Sequence, residues 1–124
     1  MIAISKVVAV FRPERFSVFK EALKQLGIMG MTVTNVEGCG LQGGRIKHYR
    51  GTEIEIDLLP KTKVEIVIPT EKVPEVIQVA KKVLKTGKMG DGKLFVYDVK
   101  QVVRISNESE GLDALDIEYN GKEV

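Results

Sequence analysis

The chain has 124 residues, 44% of them hydrophobic and 29% charged, with a formal net charge of +2. That length suits one domain with a modest core, and the composition excludes a wholly disordered chain. So small a net charge gives no support to a nucleic-acid or membrane surface, and a lone cysteine, Cys39, excludes an intramolecular disulfide.

Met1 to Phe11 is dense in Ile and Val and reads as a buried strand. It carries no basic start or small-residue cleavage site of a leader peptide, and no apolar run approaches the roughly 18–20 residues of a spanning helix. A cytoplasmic location is therefore expected. Arg12-Pro13-Glu14 breaks the strand, and Pro13 suits the first turn of a helix. Phe16, Phe19, Leu23 and Leu26 then recur at helical spacing, and Gly27 is the expected residue just past the helix end. Met31 to Val36 reads as a second strand.

The pattern repeats further on. Thr62 to Pro69 alternates Val64, Ile66 and Ile68 with Lys63 and Glu65, a half-buried strand. Thr70 is the expected N-cap of a second helix, whose stripe is Val73, Val76, Ile77, Ala80, Val83 and Leu84. Lys81, Lys82 and Lys85 crowd its last turns, where the helix dipole favours cations. A glycine-rich loop leads to a strand from Leu94 to Tyr97, with β-rich sequence continuing to Ile105. The order β-α-β-β-α-β predicts an α+β, ferredoxin-like domain. Two helices cover one face of such a sheet, so a second copy of the chain is expected on the other.

Gly38 to Leu59 exceeds a structureless link of about 12–15 residues. It reads either as a long β-hairpin or as a mobile loop that folds on a ligand or partner, and the two are compatible. The domain is expected over 1–106. Beyond it, 107–124 reads as a tail, anchored by Leu112, Leu115 and Ile117 in a short docked helix or left frayed.

Chemistry gathers at TGKMGDGKLFV, Thr86 to Val96. Phosphate oxygens are held by concave sets of backbone N–H groups and a cation, and glycine lets the backbone approach closely. Gly87, Gly90, Gly92 and Lys93 supply both, although a plain glycine-rich connection with solvated lysines has the same composition. The P-loop pattern is absent, because Leu94 follows Lys93. Asp91 fits a site carboxylate or, more simply, a turn residue that hydrogen-bonds its own loop. Arg104 is either a strand-end surface arginine or a phosphate clamp. No catalytic constellation stands out, and His48 lies in the long basic segment. The residues describe a binder.

Those residues resemble a known family. TGKMGDGKLFV, GIMGMTVTNVEGCGLQGG (Gly27 to Gly44), YRG (Tyr49 to Gly51) and DLLPKTKVEIVIP (Asp57 to Pro69) are similar, in order, to signatures of the PII nitrogen-regulatory signal-transduction proteins. The resemblance runs from about Ile2 to Ile105. It implies a homotrimer with nucleotide sites in the clefts between subunits, each taking ATP or ADP and, with Mg-ATP, 2-oxoglutarate. It also implies that Gly87, Gly90, Asp91, Gly92 and Lys93 line the nucleotide site from one subunit. Thr32, Gly40, Gln42 and Val67 match the neighbouring side, and Arg104 matches a phosphate-contacting arginine. Gln42, Gly44, Lys61 and Gly90 match the 2-oxoglutarate positions, with Gln42 also a ligand of Mg2+. The segment at about 40–59 becomes a T-loop, and Tyr49, Arg50 and Gly51 become its partner-binding tip. The implied partner is an ammonium transporter or a nitrogen-metabolism enzyme, so any membrane contact is indirect.

Three positions depart from the family's pattern. Ile54 stands where uridylylated members carry a tyrosine, so that modification is expected to be absent. Thr52 stands where some members carry a phosphorylated serine. Ser106 replaces a second basic residue, which weakens ATP binding or shifts the preference against ADP. Two other classes compete: nucleic-acid binding on the sheet through Phe95 and Tyr97, and a slow ATPase. The sheet's scarcity of other aromatics argues against the first.

Overall fold

The computed structural model describes residues 2–39, 45–49, 52–56, 58–119 and 122–123. In chain order the main elements are β1 (Ile4–Phe11), α1 (Phe16–Gln25), β2 (Thr32–Gly38), β3 (Arg45–Tyr49), β4 (Thr52–Ile56), β5 (Leu59–Pro69), α2 (Val73–Leu84) and β6 (Gly92–Val99). The sheet order is β2-β5-β1-β6, with every neighbouring pair antiparallel. That is the α+β, ferredoxin-like βαββαβ arrangement, with β3 and β4 inserted as an antiparallel hairpin between β2 and β5. The hairpin reading of the long segment holds over the described residues 45–49 and 52–56.

Register decides which side chains meet the helices. Val7 lies opposite Ile66 and Val96, and Ala9 lies opposite Val64 and Leu94. With period-two alternation these residues share one face, which α1 and α2 cover. From the helices come Phe19 and Leu23 of α1 and Val76, Ala80 and Leu84 of α2, all buried. Phe11 and Phe19 meet edge to face, with ring centroids 5.3 Å apart. Burying each such side chain contributes about 1.5–3 kcal/mol, which makes this layer the main source of stability. The first turn of each helix also supplies a cation to the last turn of the other. Lys72 Nζ donates to the Leu26 carbonyl at 3.0 Å, and Arg15 Nε to the Val83 carbonyl at 2.9 Å.

The opposite face presents Phe95 and Tyr97, 44% and 53% exposed, beside the Lys6–Glu65 ion pair. The chain's own helices leave these aromatics uncovered, as two helices must.

Two expectations need correction. Gly27 takes the left-handed conformation (φ 81°) predicted at the end of α1, but Thr70 does not cap α2. Its hydroxyl is engaged with Ser5 Oγ at 2.7 Å, and a 3-10 turn at Thr70–Lys72 leads into the helix instead. The last strand stops at Val99, and residues 105–107 form a turn, because the chain there folds back to pair Val103 with Glu110. The tail beyond residue 106 docks on the core through its expected anchors. A 3-10 turn at Gly111–Ala114 leads to Leu115 and Ile117, 2% and 1% exposed, and both join the central core cluster. Ile117 pairs with Ile28, which docks the tail beside the start of β2.

Candidate functional site

The glycine-rich loop joins α2 to β6, and its glycines serve different ends. Gly87, Gly90 and Gly92 all have positive φ, at 84°, 95° and 110°. A Cβ on Gly92 would overlap the Val10 carbonyl oxygen and lie 2.9 Å from Phe11 Cα. The fold demands that glycine, because β1 passes directly against it. Around Gly87 a Cβ would meet nothing within 4 Å, so only its left-handed backbone calls for glycine there.

Asp91 closes the loop. Its carboxylate accepts the Thr86 amide at 2.7 Å, the Gly87 amide at 3.0 Å and the Thr86 hydroxyl. Arg12 Nε donates to the same carboxylate at 3.0 Å, and Arg12 Nη2 donates to the Met89 carbonyl at 2.6 Å. The Thr86 hydroxyl, then its amide, Arg12 and Gly87, together hold the Asp91 pKa well below the usual carboxylate range. This corrects the picture of open amides: those of Thr86 and Gly87 are turned inward onto Asp91. The carboxylate shapes the loop, the simpler of the two roles read for it.

Lys61, on β5, brings a second cation. Its side chain is 7% exposed, and Nζ donates to the Gly90 carbonyl at 2.5 Å. Burial, and then the nearby Arg12 charge, push its pKa below the ordinary lysine value. A buried ammonium whose partner is a neutral carbonyl is a ready counter-charge for an anion. Lys93 is exposed at the rim of a cleft of about 470 Å³ between α2 and β6, lined by Ile77, Ala80, Leu84 and Leu94.

Three other expected residues lie elsewhere. Thr32 and Val67 line a cleft of about 230 Å³ together with Gly30, Ala114, Leu115 and Asp116. Arg104 Nη2 reaches the edge of that cleft and donates to the Ala114 and Leu115 carbonyls, at 3.3 and 3.2 Å, and to the Asp116 carboxylate. Lys61 and Val67 stand six residues apart on β5, which is about 20 Å along a strand. One chain therefore gathers Gly87, Gly90, Asp91, Gly92, Lys93 and Lys61 at one end of the sheet. It places Thr32, Val67 and Arg104 toward the other.

Of the remaining expected residues, Gly40, Gln42, Gly44, Arg50 and Gly51 lie outside the described residues, and Tyr49 is placed only as the last residue of β3. Sequence reasoning missed Arg12, Thr86 and Asp116. Arg12 read as a strand breaker and Asp116 only as part of the tail, and pairings over 79 and 12 residues leave no local signal. Among the described residues no three His, Cys, Asp or Glu side chains gather as a metal site, and no helix is long and apolar enough to cross a membrane.

Comparison with known proteins gives the chain's family and fold relatives. The family described as "Nitrogen regulatory protein P-II" matches residues 4–109. The Nitrogen regulatory protein P-II of Pasteurella multocida is 45% identical over 112 residues, spanning 90% of this chain and 100% of its own. The Nitrogen regulatory protein P-II 2 of Methanothermobacter thermautotrophicus is 46% identical over 115 residues, spanning 93% and 100%. Among solved structures, GlnK of B. subtilis aligns with a TM-score of 0.76 at 42% identity, covering 91% of this chain and 99% of that one. A GlnK–ATP complex from B. subtilis aligns at 0.75 and 35% identity, covering 91% and 96%. The chain belongs to the nitrogen regulatory protein P-II family.

Proposed function

We propose that this protein reports nitrogen and energy status by binding ATP or ADP and, with Mg-ATP, 2-oxoglutarate. The observation that carries the reading is the loop at residues 86–93. Left-handed glycines there are braced from within, and buried Lys61 and neighbouring Lys93 stand beside them. A triphosphate relieves the cost of keeping an ammonium buried, and a backbone already fixed loses little freedom on binding. The GlnK–ATP complex among the structural relatives supports the choice of nucleotide.

The site is completed between chains. Thr32, Val67 and Arg104 lie too far from the glycine loop to share one ligand within a chain, whereas a neighbouring copy can present them. A homotrimer does this and also covers Phe95 and Tyr97. On binding, Arg104 exchanges Asp116 for a phosphate oxygen. Gln42 would hold Mg2+ through its side-chain oxygen, since hard cations favour oxygen donors, and the ion would supply positive charge beside the phosphates. Gln42, Gly44, Lys61 and Gly90 hold 2-oxoglutarate. The hairpin between β2 and β5 then presents Tyr49, Arg50 and Gly51 to a target, with an ammonium transporter first among candidates. The protein acts as a regulator and not as an enzyme. Ligands change the hairpin only through unequal affinity for its states.

Calorimetry tests the reading. Lys93→Ala should weaken ATP by about ten- to a hundredfold, the size of one lost charged hydrogen bond. Lys47→Ala, on β3, should leave it nearly unchanged, and comparable losses would remove the loop from the site. 2-Oxoglutarate should bind only in the presence of Mg-ATP. Equal binding without it contradicts the coupling.

A further inference from the structure

Asp91 poses an electrostatic problem for any anion-binding loop. A carboxylate placed among the glycines repels phosphate, yet the loop depends on it for three hydrogen bonds from Thr86 and Gly87. Arg12 resolves the conflict. Its guanidinium is the charged partner of Asp91, the two side chains being 26% and 22% exposed. The same fork reaches past the carboxylate to the Met89 carbonyl. One residue at the β1–α1 junction thus neutralises the loop's only negative charge and ties its far side down. A planar guanidinium can do both at once, whereas an ammonium presents a single point charge.

We propose that Arg12 is a positioning residue for nucleotide: its two-pronged hold on Asp91 and Met89 fixes residues 86–91 in their binding shape and cancels the charge that would oppose a triphosphate. Arg12 need not touch the ligand. The inference rests on the nucleotide reading given above, but its structural half does not. Acting through Asp91, Arg12 should matter more for ATP than for ADP, because the unshielded carboxylate opposes the more highly charged ligand more strongly.

Two measurements on full-length Arg12→Ala test it. Amide hydrogen exchange, read residue by residue without nucleotide, should quicken about tenfold or more at Thr86 and Gly87 and stay unchanged through β1 and α1. A general loss of structure would speed all of these together. Calorimetry should show ATP weakened about tenfold and ADP less. Adding Asp91→Asn to Arg12→Ala removes the unshielded charge and should therefore narrow the ATP–ADP difference without further loss of ATP affinity. Arg12→Gln, which keeps the stem and loses the charge, repeats both measurements should Arg12→Ala fail to accumulate. Unchanged exchange at Thr86 and Gly87 overturns the hold itself. Faster exchange with unchanged ATP affinity overturns the positioning role while leaving the nucleotide reading intact. Wild-type protein that binds no ATP removes the nucleotide reading, and the exchange rates alone then decide the hold.

Discussion

Two arginines in this chain do similar work at opposite ends of one sheet. Arg12 grips Asp91 and the Met89 carbonyl; Arg104 grips Asp116 and the carbonyls of Ala114 and Leu115. The difference lies in the aspartates. Asp91 is 22% exposed and accepts two backbone amides, so its arginine is built into the loop. Asp116 is 59% exposed, and the tail it belongs to is held by other means: buried Leu115 and Ile117, and its own carbonyl on the amides of Met29 and Gly30. An exposed pair of this kind contributes about 0–1 kcal/mol. Arg104 can therefore leave its partner at little cost, whereas Arg12 cannot. A built-in brace and an exposed surface pair are made from the same two residue types.

Substitutions that damage one end and spare the other sharpen that contrast. The largest effect is expected from Gly92→Ala. Its Cβ would run into the Val10 carbonyl on the central strand, and neither backbone can yield without breaking the β1–β6 register. A loss of about 4 kcal/mol or more is expected in urea unfolding, among the most severe for a single change. A loss below about 1 kcal/mol would show that β6 can shift freely.

Leu115→Ala follows, at about 2–5 kcal/mol, since it empties a fully buried position in the docked tail. Little loss would mean that the tail's packing is not part of the core. Gly30→Ala is milder, at about 1–3 kcal/mol: the added Cβ would overlap Asp116 Cβ, which moves only with its backbone, and a tail segment shifts more readily than a central strand. Asp116→Asn should alter stability by less than about 1 kcal/mol. Under the proposed handover it should also tighten ATP by about two- to threefold, by removing a competitor for Arg104. Weaker ATP binding would count against that handover.

The gentlest probe is acid. Because the folded pKa of Asp91 is depressed, its contribution is fully present above the ordinary carboxylate value near 4 and is lost only as pH falls through the depressed one. Carbon-detected titration should find Asp91 still ionised at about pH 4, where an ordinary aspartate is half protonated. Titration of Asp91 in the ordinary range would show that the loop's hydrogen bonds are not formed in solution.

Most of the fold could be read from local pattern. The stripes of α1 and α2, the alternation in β5 and the left-handed Gly27 each follow from a few adjacent residues. What escaped depended on distance in sequence. Gly92 reads as a ligand-facing glycine until β1 is laid against it. The role of Thr70 depended on Ser5, a residue on another strand. The tail's anchors Leu115 and Ile117 were visible, but their docking site at Ile28 was not. At the site the contributing residue types were legible as motifs, and the arrangement was not. That Thr32, Val67 and Arg104 stand apart from the glycine loop follows only from strand register.

That separation is tested most directly by mixing variants. Lys93→Ala and Arg104→Ala are each expected to bind ATP poorly alone, so the two are co-expressed and the mixed oligomers titrated with ATP by calorimetry. A site built from two chains can take Lys93 from one subunit and Arg104 from its neighbour, which restores tight binding to about a quarter of the sites under random mixing. Mixed oligomers that bind no better than either parent would place both residues in one chain's site and contradict the account.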